Sequence, residues 1–479
     1  MTCWYCQYVY DGDNFYHLGH AAVYWEHGPF FRPFPWASYS VISQHNSDLW
    51  WGFHVLLSPL TVLKDKVLIL AAAPGVLMLL NLFISRTAVT RLGMSHWYGL
   101  AMLPASLGYF TRMDTVRPQV LSSALLVLIF AAIVTEAPWL AIFASVLIGL
   151  LHPTLSYLII LVGAITFLHR GITKKQWNIW TELSCVLVAL TVACLRPGIP
   201  DGLQLMKVQL IDIMQVRKGG EVKNFGVELE RINLAYFFRA FISPLIVLAI
   251  SAVCLLKFRD KEKNGSYAWA TFGVTLLAFL LSLLITRRGV DQFAPFTLLT
   301  ALCVFHVCKD LKKFTAAVVG VHACYVISAM GLQSAQRDHP KNATDYQAVS
   351  KWVTENTEPG EIVGQGVWSD FGPLFYWNRH NRYFGGMDPV FQYRYNPETY
   401  WLMTLSTAGR DLGKTSKYNP LKVSDKEEPI STVWPRDLKT KWLICGKGWN
   451  EDVQNELKKD PHTKLRYEDA SARVYEFVP

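Results

Sequence analysis

The stretch VLILAAAPGVLMLLNLFIS (Val67–Ser85) decides how the chain is read. It is nineteen residues long and carries no charged side chain. As a helix it would span roughly 28 Å, close to the ~30 Å hydrocarbon core of a bilayer. Similar apolar runs follow near 97–110, 119–135, 137–151, 153–169, 179–195, 236–256, 268–286, 292–308 and 314–332. A backbone embedded in lipid must satisfy its own hydrogen bonds, so these ten stretches are expected as membrane helices. The pair divided at His152-Pro153 could also form one kinked passage.

Charge supports this division. The chain has 479 residues and a net charge of +9. Residues 1–332 hold 26 Lys+Arg and 17 Asp+Glu, whereas 333–479 hold 20 of each. The basic excess therefore lies among the apolar runs, which disfavours a nucleic-acid partner and points to topology. Four short connections are basic: Arg86 and Arg91; Arg170, Lys174 and Lys175; Lys257, Arg259, Lys261 and Lys263; Lys309, Lys312 and Lys313. With ten spans all four fall on one side, which the positive-inside rule makes cytoplasmic. The expected divisions are an outer-face loop over 1–66, a transmembrane part over 67–332 and an outer domain over 333–479.

The last part reads as α/β. Helical spacing covers Ala343–Glu355 and Asn450–Lys459, and strands are expected at Glu361–Val367, Trp442–Cys445, Lys464–Tyr467 and Arg473–Val478. Residues 384–440 read as loops with short helices. The fold class is thus a polytopic α-helical membrane protein with a C-terminal outer-face α/β domain.

Five stretches could carry chemistry. Asp11-Gly12-Asp13-Asn14-Phe15-Tyr16-His17-Leu18 sets two carboxylates around a glycine, suited to a divalent cation or to a general base; a plain Asp-Gly turn is the simpler reading. In Phe110–Pro118, Asp114 lies between Arg112 and Arg117, and arginine forks match phosphate. Arg287-Arg288-Gly289-Val290-Asp291 adds two more cations on the outer side. These four arginines run against the topological rule, and an anionic lipid head group is their natural partner; interfacial anchoring is the alternative. Trp368-Ser369-Asp370-Phe371-Gly372 places an acid among aromatics able to stack on sugar faces, or simply a packed loop. Finally His54 sits in Leu49-Trp50-Trp51-Gly52-Phe53-His54-Val55-Leu56-Leu57, which suits a helix lying at the membrane interface.

Together these features resemble the GT-C superfamily of membrane glycosyltransferases, and within it the oligosaccharyltransferase catalytic subunit and related bacterial polyprenyl-phosphate-sugar transferases. Asp11–Leu18 is similar to the first-loop acid motif, Asp114 falls where a second acid motif would stand, and Trp368–Gly372 resembles a degenerate Trp-Trp-Asp-Tyr-Gly motif. The second site has one acid where the family has a pair. The resemblance also implies a further helix ahead of Asp11.

What the resemblance implies is transfer of a sugar from a polyprenyl-phosphate-linked donor to an acceptor at the outer face of a bacterial inner or plasma membrane. Asp11, Asp13 and Asp114 would be catalytic, with Asp11 and Asp13 also ligands of Mg2+ or Mn2+. His17, His54, Arg112, Arg117, Arg287, Arg288, Trp368 and Asp370 would bind substrate. The rival classes are a multi-span transporter or exporter, and an inactive GT-C-like assembly component.

Overall fold

The computed structural model describes residues 8–9, 11–219, 234–257, 266–284, 290–307, 312–335, 341–407 and 429–479. Arg287 and Arg288, and most of the basic connection after Lys257, lie outside the described residues. The chain divides into two compact units: one built from Met1–Ala71, Pro197–Phe225 and Lys341–Pro479, the other from Ala72–Arg196 and Gly226–Pro340.

The second unit is helical. Its elements are most of Lys66–Arg91, then Gln119–Val134, Pro138–Leu151, Tyr157–Lys174, Trp180–Leu195, Leu234–Lys257, Ser266–Leu284, Val290–Val307 and Lys312–Ala335. Nine of the ten expected stretches are therefore helical over most of their length. Lys66–Arg91, Pro153–Lys174 and Tyr267–Leu284 are each long and apolar enough to cross a membrane by length and composition. Helix Gln119–Val134 is apolar and buried on every side from Val120 onward, as an all-round hydrophobic helix must be. Helices Pro138–Leu151 and Trp180–Leu195 approach closely because Gly149 has no side chain: a Cβ there would stand 2.5 Å from the Ala189 carbonyl oxygen.

The tenth stretch, 97–110, is not one helix. It forms two short ones, Tyr98–Ala101 and Leu107–Met113. Pro104 falls between them and cannot donate to a helical ladder. Its carbonyl accepts a hydrogen bond from His322 Nε2 at 2.9 Å. Ser106 then restarts the helix by accepting from the Tyr109 amide at 2.9 Å. A broken helix survives in an apolar setting only where other groups take up the freed backbone, and here His322 does so.

Contacts within this unit fix which ends meet. At one end Arg112 Nε faces Asp291 at 3.1 Å and His152 meets Ser122 at 3.0 Å. At the other, Lys174 binds Glu136 at 2.6 Å, the Tyr267 hydroxyl donates to the Val134 carbonyl at 3.4 Å, and His306 lies beside Gly93. The chain from Gly93 to Arg112 thus runs between the ends of helix Val290–Val307, although in two pieces.

The first unit carries the sheets. Strand β1 (Tyr8–Val9) pairs antiparallel with β2 (Lys341–Asn342). A five-stranded sheet follows, from β3 (Ile362–Gln365), β4 (Arg382–Tyr383), β5 (Trp442–Gly446), β6 (Thr463–Glu468) and β7 (Ala472–Phe477), in the order β4-β3-β5-β7-β6. Strand β3 runs parallel to both β4 and β5, while β7 is antiparallel to β5 and β6. Strand β5 is buried throughout, with Leu443 and Cys445 packed among Trp434, Val453, Leu457, Tyr475 and Phe477. The early segment Trp36–Tyr39 extends the β4 edge. Tyr383 donates to the Trp36 carbonyl at 2.8 Å, and the Ser38 and Tyr39 amides donate to the Tyr383 and Phe384 carbonyls at 2.8 Å each. The first seventy residues and the C-terminal α/β part are therefore one folded body.

Candidate functional site

Helix α1 (Asp13–His27) starts at the acid motif. Asp11 Oδ1 accepts from the Asp13 amide at 3.1 Å, and the Asp11 carbonyl accepts from Asn14 at 3.1 Å. The Asp-Gly turn read from the sequence is thus present, and it launches a helix whose first turn bears Asp13, where a negative charge is favoured. Asp11 and Asp13 are half-buried.

The tryptophan motif packs directly on this corner. Trp368–Asp370 forms a tight turn after β3, and helix Phe371–Trp377 follows. A Cβ on Gly372 would stand 2.7 Å from the Gly12 carbonyl oxygen, so only glycine admits this approach. Along α1 the contact continues, with a Cβ on Gly19 meeting the Phe375 ring at 2.8 Å. Two motifs some 350 residues apart in sequence form one corner. Asp370 is buried and accepts a hydrogen bond from Tyr346, whose hydroxyl pKa is driven far up, by burial first and by Asp370 second. Trp368 is half-exposed and lines a cavity at the ends of the parallel strands.

Behind the corner lies a buried polar chain. His54, on helix α2 (Trp51–Leu57), donates from Nδ1 to Asp48 Oδ2 at 2.6 Å. Its Nε2 meets His17 Nδ1, on α1, at 2.7 Å. Asp48 also accepts from the Tyr24 hydroxyl at 3.0 Å and from the Trp50 amide at 2.9 Å. His20 stacks on His54 with ring centres 4.4 Å apart, and its Nε2 lies 3.8 Å from Asp48. All four residues are buried.

Burial works against the Asp48 charge, but His54, His20 and the Trp50 amide outweigh it and hold the carboxyl well below its usual range. Burial lowers the His20 pKa to about 3; the attraction of Asp48 opposes this and does not overcome it. His20 is neutral near pH 7, so its approach to Asp48 is not an ion pair. With Asp48 ionised, either His54 is neutral and His17 donates to it, or His54 is charged and His17 accepts. One proton can move along Asp48–His54–His17 without a change in heavy-atom positions.

His17 and His54 are therefore inside the fold: α2 hides His54 completely while Leu56 faces outward. His20 and Asp48 were not singled out in the sequence. The available signal was the spacing Tyr16-His17-x-x-His20-x-x-x-Tyr24, which stacks polar rings on adjacent turns of one helix.

Two sets could hold a cation. His20, Asp48 and His54 have ligand atoms all within 4.8 Å. Their imidazoles suit a softer metal than Mg2+ or Mn2+, and both His54 ring nitrogens already have protein partners. Asp11 and Asp13 bring two oxygen donors and join no cluster of three ligand side chains among the described residues. Two carboxylates suffice for Mg2+ when substrate phosphate and water complete its shell.

In the helical unit, Asp114 ends helix Leu107–Met113, and Arg117 precedes Pro118 at the start of Gln119–Val134. Arg112 pairs with the buried Asp291, so two stretches read separately meet there.

No family model matches the chain, and no curated protein does. Among solved structures, the crystal structure of ArnT from Cupriavidus metallidurans in the apo state is similar over 98% of this chain and 93% of that one, at 11% identity and a TM-score of 0.40. At that identity and score, function has to be read from the residues.

Proposed function

We propose that the chain is a membrane glycosyltransferase of the GT-C kind, moving a sugar from a polyprenyl-phosphate-linked donor to an acceptor on the outer face of the membrane. The observation that carries this reading is the corner where Gly372 receives the Gly12 carbonyl. It brings the acid motif and the tryptophan motif of the sequence resemblance into one folded place, with a buried proton chain behind α1.

In this reading the acceptor X–H attacks the anomeric carbon. A new bond from that carbon to X forms, the bond from carbon to phosphate oxygen breaks, and its electron pair leaves with the lipid phosphate. The proton passes to the carboxylate of Asp13, with Asp11 fixing the turn that presents it. His17, one turn along α1, and His54 and Asp48 behind it hold a compensating proton, so that a charge change near Asp13 is met by a shift along the chain. Asp114 assists, and Arg112, Arg117, Arg287 and Arg288 are assigned to the phosphate, where negative charge develops as the bond breaks. Asp11 and Asp13 would hold Mg2+ or Mn2+, which when bound neutralises phosphate charge.

The test is Asp13→Asn in membranes supplied with radiolabelled polyprenyl-phosphate sugars. Transfer is expected to fall at least 1,000-fold, with insertion and yield unchanged. Full transfer by the variant would sink the assignment, and uptake of a solute without transfer would favour a transporter.

A further inference from the structure

A cavity of about 250 Å³ opens in the α/β unit at the carboxyl ends of its three parallel strands. Gln365 closes β3, Trp368 follows it, Phe384 follows β4, and Trp449 follows β5. Ligands in α/β sheets bind at this end, because the strands stop there and the loops diverge.

Its lining is unusual in one respect. None of the lining side chains is charged; the polar groups are the amides of Gln365, Gln392 and Asn450 and the hydroxyls of the threonines and Tyr400, and the large apolar faces are Trp368, Trp449 and Phe384. A phosphate or an ammonium would find no countercharge. A ligand with alternating hydroxyls and C–H faces would find both amides and indoles.

Two features mark the cavity as built for such a ligand. Gln365 is almost wholly buried. Its Nε2 donates to the Gly385 carbonyl at 2.7 Å, yet its Oε1 has no partner among the described residues. A buried amide oxygen without a donor is unfavourable, and a bound hydroxyl would supply the missing hydrogen bond. Gln392 is also buried, and it lines the same cavity. Trp449 is fixed in place: a Cβ on Gly366 would stand 2.9 Å from its ring, so the indole lies flat on that backbone. Asn450, by contrast, is spent on structure, donating to the Thr407 carbonyl at 3.1 Å and capping helix Glu451–Lys459.

From this geometry we infer that the cavity is a subsite for one neutral hexopyranose ring, with its hydroxyls on Gln365 and Gln392 and its C–H face on Trp368 or Trp449. The volume falls slightly under the roughly 300–1,000 Å³ of pockets for drug-sized ligands, which limits the buried portion to a single ring. The inference deepens the transferase reading, because Trp368 opens the same five-residue motif whose Gly372 meets the acid corner.

The experiment uses the full-length protein in detergent. Saturation-transfer NMR is recorded with methyl glucosides, galactosides and mannosides, and with inorganic phosphate as a charged control. One hexoside is expected to bind, and phosphate is expected not to compete. Trp449→Ala should weaken binding at least tenfold. Gln365→Met, which keeps the shape, should weaken it severalfold while leaving the melting temperature unchanged or raised. Absence of binding by every hexoside, or undiminished binding in both variants, overturns the subsite. Asp13→Asn separates this from the reaction: hexoside binding should persist there without transfer. Binding in a wild-type protein that transfers from no polyprenyl donor would keep the subsite and remove the transferase, and transfer without hexoside binding would do the reverse.

Discussion

The two units solve the burial problem in opposite directions. In the helical unit the polar side chains point inward: Asn81, Ser122, Ser123, Thr166, Thr271, Thr275 and Thr300 are buried, whereas Leu79, Phe83, Trp139, Phe143, Leu187 and Val321 are exposed. In the α/β unit the order is the ordinary one. Strand β5 is buried throughout, and helix Glu451–Lys459 turns Val453 and Leu457 inward and its charges outward. The first pattern is stable only against hydrocarbon, the second only against water. Each unit is thus built for its own solvent.

The buried chain Asp48–His54–His17 departs from this ordinary pattern inside the α/β unit, so it is the place to break the comparison first. His54→Ala removes the imidazole donor to Asp48 and leaves a buried carboxylate with fewer partners. Unmatching a buried charge costs about 3–5 kcal/mol. The α/β unit should therefore melt well below its wild-type temperature, which thermal transitions in tryptophan fluorescence would register. An unchanged transition would mean the chain is not under electrostatic load.

A smaller effect is expected at the corner between the motifs. Gly372→Ala places a methyl 2.7 Å from a backbone oxygen, which has no side-chain freedom with which to retreat. The helix Phe371–Trp377 must shift from α1 by a few tenths of an ångström. Sugar transfer should fall by about 10- to 100-fold, worth roughly 1.4–2.7 kcal/mol at the barrier. Hexoside binding at the strand ends should change little. Equal loss of both would place the effect in folding.

Acid should weaken the α/β unit already at mildly acidic pH. The His20 pKa is lowered from about 6.5 to about 3 in the folded state. The unfolded chain therefore binds a proton that the folded one refuses, and stability present above pH 6.5 is lost as pH falls toward 3. Between pH 6.5 and 5.5 the loss is about 1 kcal/mol, steepening toward roughly 1.4 kcal/mol per pH unit below that, and His20→Gln should flatten that slope. Asp48 adds its own loss once pH falls into the ordinary carboxylate range, since its folded pKa is depressed below it. A melting temperature independent of pH from 7 to 5 in the wild type would refute the assignment of a neutral His20.

Much of the fold was legible because it is local. Apolar runs gave the helices, and alternation gave β3, β5, β6 and β7 within a residue or two at each end. Pro104 was visible as a possible break, but not that the break would be tolerated, since the carbonyl it frees is taken up by His322, 218 positions away. Strand β4 was missed for a similar reason: two residues carry no period, and its identity comes from its neighbours on either side. At the candidate site, Asp11, Asp13, Trp368 and Gly372 could be picked out by residue type and spacing, but not that Gly12 and Gly372 touch. His20 and Asp48 were passed over because neither sits in a motif; they matter only once α1 and α2 bring four polar groups together in a dry place.

The smallest effect tests the comparison most directly. Phe143 stands on the outer face of helix Pro138–Leu151 with 58% of its surface open, and Phe384 lies in the α/β core at 1%. In water-based logic both would be treated as hydrophobic residues worth keeping. If the helical unit is solvated by hydrocarbon, Phe143 changes little of its environment on folding, and Phe143→Ala in detergent should move stability by less than about 0.5 kcal/mol. Phe384→Ala should cost about 3–5 kcal/mol through lost contacts and a cavity. The more informative arm is Phe143→Asp. It should block insertion into bilayers, because a carboxylate cannot be carried cheaply on a lipid-facing surface. If Phe143→Asp inserts and melts like the wild type, that face meets water or another protein chain, and the opposition between the two units fails at its outer surface while their separate cores stand.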